Sequence, residues 1–246
     1  MASFYNLPYM RKARLPGLML VALAVFGQQQ TSVEITSEPS HHQVLENKYV
    51  RVFDVTVAPK ATTLVHRHNY DYLFVTLGDS DVVSTRPGEK PVALQLKDGE
   101  VRYTPGHFAH AAENRSSQPF HNTTIELLTP ATNVKNCAEG CSTTVACESK
   151  SGSCPSLEKR ISSDQWTVSM WTIPPGASFD RKFPNGPALL VAVTDLDMTE
   201  QGPAIGQYRR PVGGLDWIPS GSQQKISNSS PKPQKYVTVE FREQAQ

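Results

Sequence analysis

The chain has 246 residues, with 24 Lys+Arg against 23 Asp+Glu, and 38% of its residues are hydrophobic. That supports an ordinary globular core of one or two domains. The near-zero net charge excludes the electrostatic footprint of a nucleic-acid binder and gives no reason to expect a strongly anionic membrane partner. Arg11, Lys12 and Arg14 precede an apolar run from Leu15 to Phe26, broken by Pro16 and Gly17, and Gln28, Gln29 and Gln30 follow. This reads as a secretory signal peptide over 1–27, cleaved after Gly27 or after Ala24. The run is about 12 residues, short of the ~20 that span a bilayer as a helix; an uncleaved anchor is the competing reading. Either way the bulk of the chain is expected outside the cytoplasm, periplasmic or secreted, with no stable membrane insertion after cleavage.

A polar leader is expected over 28–44. From 45 to 129 short β-like runs follow one another: Tyr49–Val57, Tyr72–Leu77, Val82–Ser84, Val92–Leu96, Val101–Tyr103 and Thr123–Leu128. Turn pairs such as Gly78-Asp79, Pro87-Gly88, Asp98-Gly99 and Pro105-Gly106 punctuate them, a pattern that predicts an all-β barrel or sandwich. Residues 130–157 are rich in Ser, Thr, Gly, Ala and Cys and read as a linker holding all four cysteines, Cys137, Cys141, Cys147 and Cys154. An even count in an exported chain predicts two disulfides, with three pairings open. A four-thiolate zinc site is the alternative, but the spacings lack a C-x-x-C knuckle. Strands resume over 158–243 at Trp166–Ile173, Ala188–Val193, Leu215–Ile218 and Tyr236–Phe241. The halves repeat: Pro59 with Pro175, Pro105 with Pro219, Asn114 with Asn228 and Glu126 with Glu240 are separated by 114 to 116 residues. A period that long is a whole small domain, which predicts two related β-domains.

All seven histidines fall between His41 and His121. His66 and His68 alternate on a predicted strand, so both rings share one face, and His110 follows after a further strand and turn. Three imidazoles, with Asp71 as a possible carboxylate, suit a divalent first-row metal: Zn, Fe, Mn, Ni, Co or Cu.

These residues resemble the motifs of the cupin superfamily. The first family motif, G-x5-H-x-H-x3,4-E-x6-G, is matched by Lys60 at the first Gly, then His66, His68, Asp71 in place of Glu with one spacer fewer, and Gly78. Tyr72 stands at the other spacing allowed for that Glu. The second, G-x5-P-x-G-x2-H-x3-N, is matched by Gly99, Pro105, His107 in place of Gly, His110 and Asn114. The resemblance implies two jelly-roll barrels, a metal held in the first by His66, His68 and His110, and Asp71 as fourth ligand, base or outer hydrogen-bond acceptor. Tyr70, Tyr72 and His107 are the candidate acid–base groups. His41, His42 and His121 have no motif support and are expected to be exposed. Asn114 is expected to satisfy backbone groups at a turn. In the second half Lys182, Pro184 and Gln224 fall at the histidine positions, so that barrel is expected to bind no metal. The resemblance implies a metalloprotein that binds or transforms a small organic molecule, as an oxygenase, isomerase, decarboxylase or lyase. The alternatives are a non-catalytic small-molecule or metal-binding module, and a purely structural protein. Cupin sheets associate in pairs, so the two barrels are expected to pack together, or two copies to dimerise.

Overall fold

The computed structural model describes residues 31–137, 141–149, 152–201 and 205–243; the segment 1–27 lies outside them. The first half contains β1 (Val33–Glu34), β2 (His41–Glu46), β3 (Val50–Val57), β4 (His66–His68), β5 (Tyr72–Leu77), β6 (Ser80–Thr85), β7 (Val92–Leu96), β8 (Val101–Thr104), β9 (Phe108–Asn114) and β10 (Phe120–Leu127). The cysteine-bearing segment adds β11 (Lys135–Asn136), β12 (Ser142–Thr144) and β13 (Glu148–Ser149). The second half contains β14 (Ser156–Ser162), β15 (Trp166–Ile173), β16 (Ala177–Lys182), β17 (Ala188–Ala192), β18 (Leu196–Gln201), β19 (Ile205–Arg210), β20 (Leu215–Ile218), β21 (Gln223–Asn228) and β22 (Gln234–Phe241).

Each half is a jelly roll of two facing sheets. The first has orders β1-β4-β9-β6-β7 and β2-β3-β10-β5-β8; the second has β13-β16-β21-β18-β19 and β11-β14-β15-β22-β17-β20, with β12 also beside β14. The halves therefore repeat in topology as well as in sequence. Alternation sets the two faces of each strand. On β3, Phe53, Val55 and Val57 turn into their own barrel, while Val50 and Val52 turn outward. The outward set is buried all the same. Val52, Leu73, Val75 and Ile125 share one apolar cluster with Trp166, Val168, Leu189 and Val239, so the two barrels pack sheet against sheet. Complete burial of such side chains contributes about 1.5–3 kcal/mol each, which makes this contact a second core.

Two expectations change here. The stretch read as a polar leader is partly built into the barrel: β2 pairs with β3, and β1 runs parallel to β4. The linker is tied down too, since β11 and β12 pair with β14 and β13 pairs with β16. Its disulfides join Cys137 to Cys141 and Cys147 to Cys154.

Asn114 and Asn228 do the same work in both barrels. Each side-chain amide donates to backbone carbonyls (Val57, Ala58 and Gln118 from Asn114; Ile173 and Lys232 from Asn228), and each carbonyl oxygen accepts the N–H two residues on. Turn positions differ more. Gly176 and Gly221 take left-handed backbone, and the matching residues of the first barrel, Lys60 and His107, do so with side chains, at φ 61° and 62°. A side chain in that region costs about 1–2 kcal/mol, partly offset by the smaller entropy lost on folding. His107→Gly is accordingly expected to raise the denaturation midpoint slightly, by up to about 1 kcal/mol; a clear loss of stability would mean that the imidazole is held by contacts of its own.

Candidate metal centre

β4 and β9 are antiparallel neighbours whose register sets His66 opposite His110, with His68 opposite Phe108. Strand alternation sends these three imidazoles to the barrel interior, where one ring nitrogen from each lies within 4.8 Å of the other two. His66 and His68 are each 1% exposed. The outer nitrogens are engaged or aimed. His66 Nδ1 lies 2.9 Å from the Leu64 carbonyl oxygen, and His110 Nδ1 lies 2.9 Å from Ser84 Oγ. His68 Nδ1 faces Glu126 Oε1 at 3.9 Å. The inner nitrogens are left for a shared partner: His66 Nε2 is buried with no hydrogen bond, and His68 Nε2 and His110 Nε2 are 3.3 Å apart.

Burial pushes His66 down to about 4 and His110 down to about 3, with the neighbouring imidazoles adding to both shifts. It also pushes His68 far below its ordinary range. The rings are therefore neutral at physiological pH, the state in which imidazole donates a lone pair. Converging neutral donors, an orphaned buried Nε2 and outer nitrogens held from behind fit a divalent metal ion. Without metal, the sign of the pH effect follows from the lowered values. The folded state resists protonation that the unfolded state accepts near pH 6.5, so stability falls as pH drops from about 6.5 toward 4. Acid titration of chelator-treated protein by circular dichroism should show this loss; a midpoint flat across that window would contradict it.

The carboxylate proposed from the sequence lies elsewhere. Asp71 accepts hydrogen bonds from Tyr103 Oη at 2.5 Å and from the Gly106 N–H at 2.8 Å, and it is not a member of the imidazole cluster. It pins the turn that leads into β9. A side chain at Gly106 would lie 2.3 Å from the Tyr70 carbonyl, so this close approach requires glycine. Of the three acid–base candidates, only Tyr72 lines the interior cavity. It stacks on His68 with centroids 4.0 Å apart, and burial pushes its hydroxyl up to about 12, so it stays protonated. Tyr70 is exposed on the surface with Arg51 near its ring. His107 joins the site only through its backbone N–H, which donates to the His68 carbonyl at 2.7 Å.

Two residues at the site were not foreseen. Glu126, on β10, is 1% exposed, with Oε1 unpartnered and Oε2 accepting from Arg51 at 3.3 Å. Burial pushes it up to about 7 against the opposing pull of Arg51. The signal for it was its repeat partner Glu240, which marks an interior position in both barrels. His41, expected at the surface, is buried with its ring centroid 4.6 Å from that of His66. Its Nδ1 lies 2.6 Å from the carboxylate of Glu38, itself buried, which also accepts from Ser40 N and Leu64 N. His121, by contrast, is half-buried and pairs with Asp54 at 2.6 Å, while His42 is exposed.

The second barrel departs from the expected alignment. Thr62 bridges Glu113 and His66 pairs with His110, so four steps on one strand meet three on the other. From Ser178–Ser227 to Arg181–Gln224 the count is three to three. The bulge shifts the correspondence by one, and Arg181 stands opposite Gln224 as His66 stands opposite His110. Lys182 faces outward, exposed. Arg181 is 1% exposed and donates to Gln224 Oε1 at 2.7 Å and Glu200 Oε1 at 3.0 Å. A fixed guanidinium thus fills the place where the first barrel gathers its imidazoles.

The imidazole cluster opens on a cavity of about 470 Å³ inside the first barrel, walled by Val57, Val82, Leu94, Leu96 and Phe120 and carrying Arg86 and Thr104. Among the described residues no helix is long and apolar enough to cross a membrane. No family model and no curated protein matches the sequence. Solved structures do match in fold. AerE from Microcystis aeruginosa superposes with a TM-score of 0.57 at 13% identity, over 84% of this chain and 99% of that one. An oxalate decarboxylase structure gives 0.55 at 10% identity, over 84% and 76%. A Bacillus subtilis oxalate decarboxylase, described for its Mn(II) centres, gives 0.53 at 11% identity, over 84% and 76%.

Proposed function

We propose, from the premise that this chain has the two-barrel fold of the cupin superfamily, that it is an exported metalloprotein acting on a small organic molecule at a mononuclear divalent-metal site in its first barrel. The observation that carries this reading is the convergence of His66, His68 and His110 on one point at the wall of a cavity in the barrel interior. A divalent ion bound there would supply a Lewis acid to an oxygen of the bound molecule. The likeness to an oxalate decarboxylase described for its Mn(II) centres supports keeping Mn as one candidate beside Fe, Zn, Ni, Co and Cu. The residues of the chain then do the rest. Glu126 orients His68 from behind, Ser84 and the Leu64 carbonyl fix the other two rings, and Tyr72 and His41 face the space the molecule would fill. Oxygenase, isomerase and lyase chemistry all suit such a site. The second barrel, with Arg181 at its centre, serves as a scaffold that binds no metal. Two disulfides accord with export to an oxidising compartment.

A non-catalytic binding module is the second reading, favoured by Asp71 being turned away and by a ligand set of histidines alone. Metal-loaded protein incubated with a panel of small organic acids, aerobically and anaerobically, separates the two. Product formation abolished by chelation and by His66→Ala is expected. Metal-dependent thermal stabilisation by a compound that is recovered unchanged would establish the binding module instead.

A further inference from the structure

We infer that the cavity of the first barrel takes an organic monocarboxylate with an apolar, ring-sized body, and that Arg86 is the residue that selects for the carboxylate. The inference deepens the proposed function and rests on it for the identity of the cavity as the working site. Arg86 follows directly on β6, half-buried, and its guanidinium lies 3.7 Å from the centroid of Phe108, the residue paired with His68. It is near enough to Tyr72 and His110 for its charge to be felt at both, favouring the phenolate of the first and disfavouring the imidazolium of the second. Among the described residues it ion-pairs with no carboxylate. The other cations on the cavity are differently placed: Arg102 is engaged by Glu100 at 2.6 Å, and Lys90 is exposed at the rim beside Glu89.

A guanidinium held on an aromatic face, with its hydrogen-bonding edge free, presents the geometry that a carboxylate accepts in two parallel bonds. The rest of the lining is largely aliphatic and aromatic, with Val57, Val82, Leu94, Leu96 and Phe120 around the interior. A molecule that satisfies both is anionic at one end and apolar over the rest. A cavity near 470 Å³ has room for a substituted ring. Small inorganic anions would leave the apolar walls unused.

The experiment uses phenylacetate, its neutral isostere phenylacetamide, and inorganic phosphate, titrated calorimetrically into the full chain, both metal-free and Mn(II)-loaded. Phenylacetate is expected to bind at least tenfold more tightly than phenylacetamide in both forms, with phosphate not competing. Arg86→Gln should remove that preference while leaving metal content and affinity for the amide unchanged; Arg86→Lys should keep part of it, and Arg102→Gln all of it. Equal affinity for acid and amide, binding of neither, displacement by phosphate, or an Arg86→Gln variant that still prefers the acid would each overturn the inference. Metal-free discrimination separates the two claims. A protein that takes up no metal yet prefers the acid through Arg86 would end the metal reading alone, whereas one that loads metal and shows no preference would end this inference alone.

Discussion

His66→Ala and His110→Ala are each expected to take metal content from one ion per chain to none after dialysis against micromolar metal. Three imidazole nitrogens define the site, and two cannot hold a first-row ion against buffer. The fold should survive both substitutions, because the cluster lies at the cavity wall and not in the apolar packing between barrels. Arg181→Ala is the matched control. It removes the side chain standing at the corresponding place in the second barrel, so it should leave metal content at one while lowering stability. Truncating so large a buried side chain opens a cavity, and the effect should be about 2–4 kcal/mol. Metal lost with Arg181→Ala but kept with His66→Ala would reverse the roles of the two barrels. Elemental analysis and thermal unfolding of the three variants decide it.

Glu126 gives the second large effect, and it acts in two directions. Its Oε1 faces His68 Nδ1 at 3.9 Å, and both atoms are buried with no hydrogen bond. When His68 Nε2 is committed to a metal, Nδ1 carries the proton, and the carboxylate behind it becomes the acceptor. Removing such an acceptor typically costs 10–100-fold in metal affinity, so Glu126→Gln should weaken metal binding by that factor in a chelator-competition titration. In metal-free protein the sign is opposite. A carboxyl whose folded value is raised to about 7 is favoured in its protonated form, and that stability is lost as pH rises from about 4.5 through 7. Glutamine has no proton to lose there, so metal-free Glu126→Gln should be more stable than the parent at pH 8, by about 1–3 kcal/mol. A variant with unchanged metal affinity and lower stability would show Glu126 to be a packing residue only.

Much of this was legible from the sequence, and the exceptions share a physical cause. The strands Tyr72–Leu77, Val92–Leu96, Trp166–Ile173 and Leu215–Ile218 have the bounds that short runs rich in β-branched and aromatic residues between turn signals indicated. His66 and His68 were legible as a same-face pair because strand side chains alternate with period two, and His110 through its spacing from Pro105. The one-residue bulge between Thr62 and His66 was not, because a constant repeat offset cannot register an inserted residue; it placed Lys182 where Arg181 belongs. Asp71 follows the alternation rule against the motif: Tyr72 begins a strand facing inward, so its neighbour faces out. Glu126 was visible only as a repeat mark, since nothing in TTIELL says which face of the strand looks into the barrel. His41 lies on a strand whose pattern is polar, and its burial comes from the pairing of β2 with β3 and from the Glu38 carboxylate, neither of which local sequence reveals.

Anomalous diffraction from crystals of the manganese-soaked full chain addresses the centre of the account without reference to any activity. One strong peak is expected in the first barrel, about 2.0–2.3 Å from a nitrogen of each of His66, His68 and His110, with none beside Arg181. An empty map at those three rings, or a peak held by other residues such as Asp54 and His121, would contradict it.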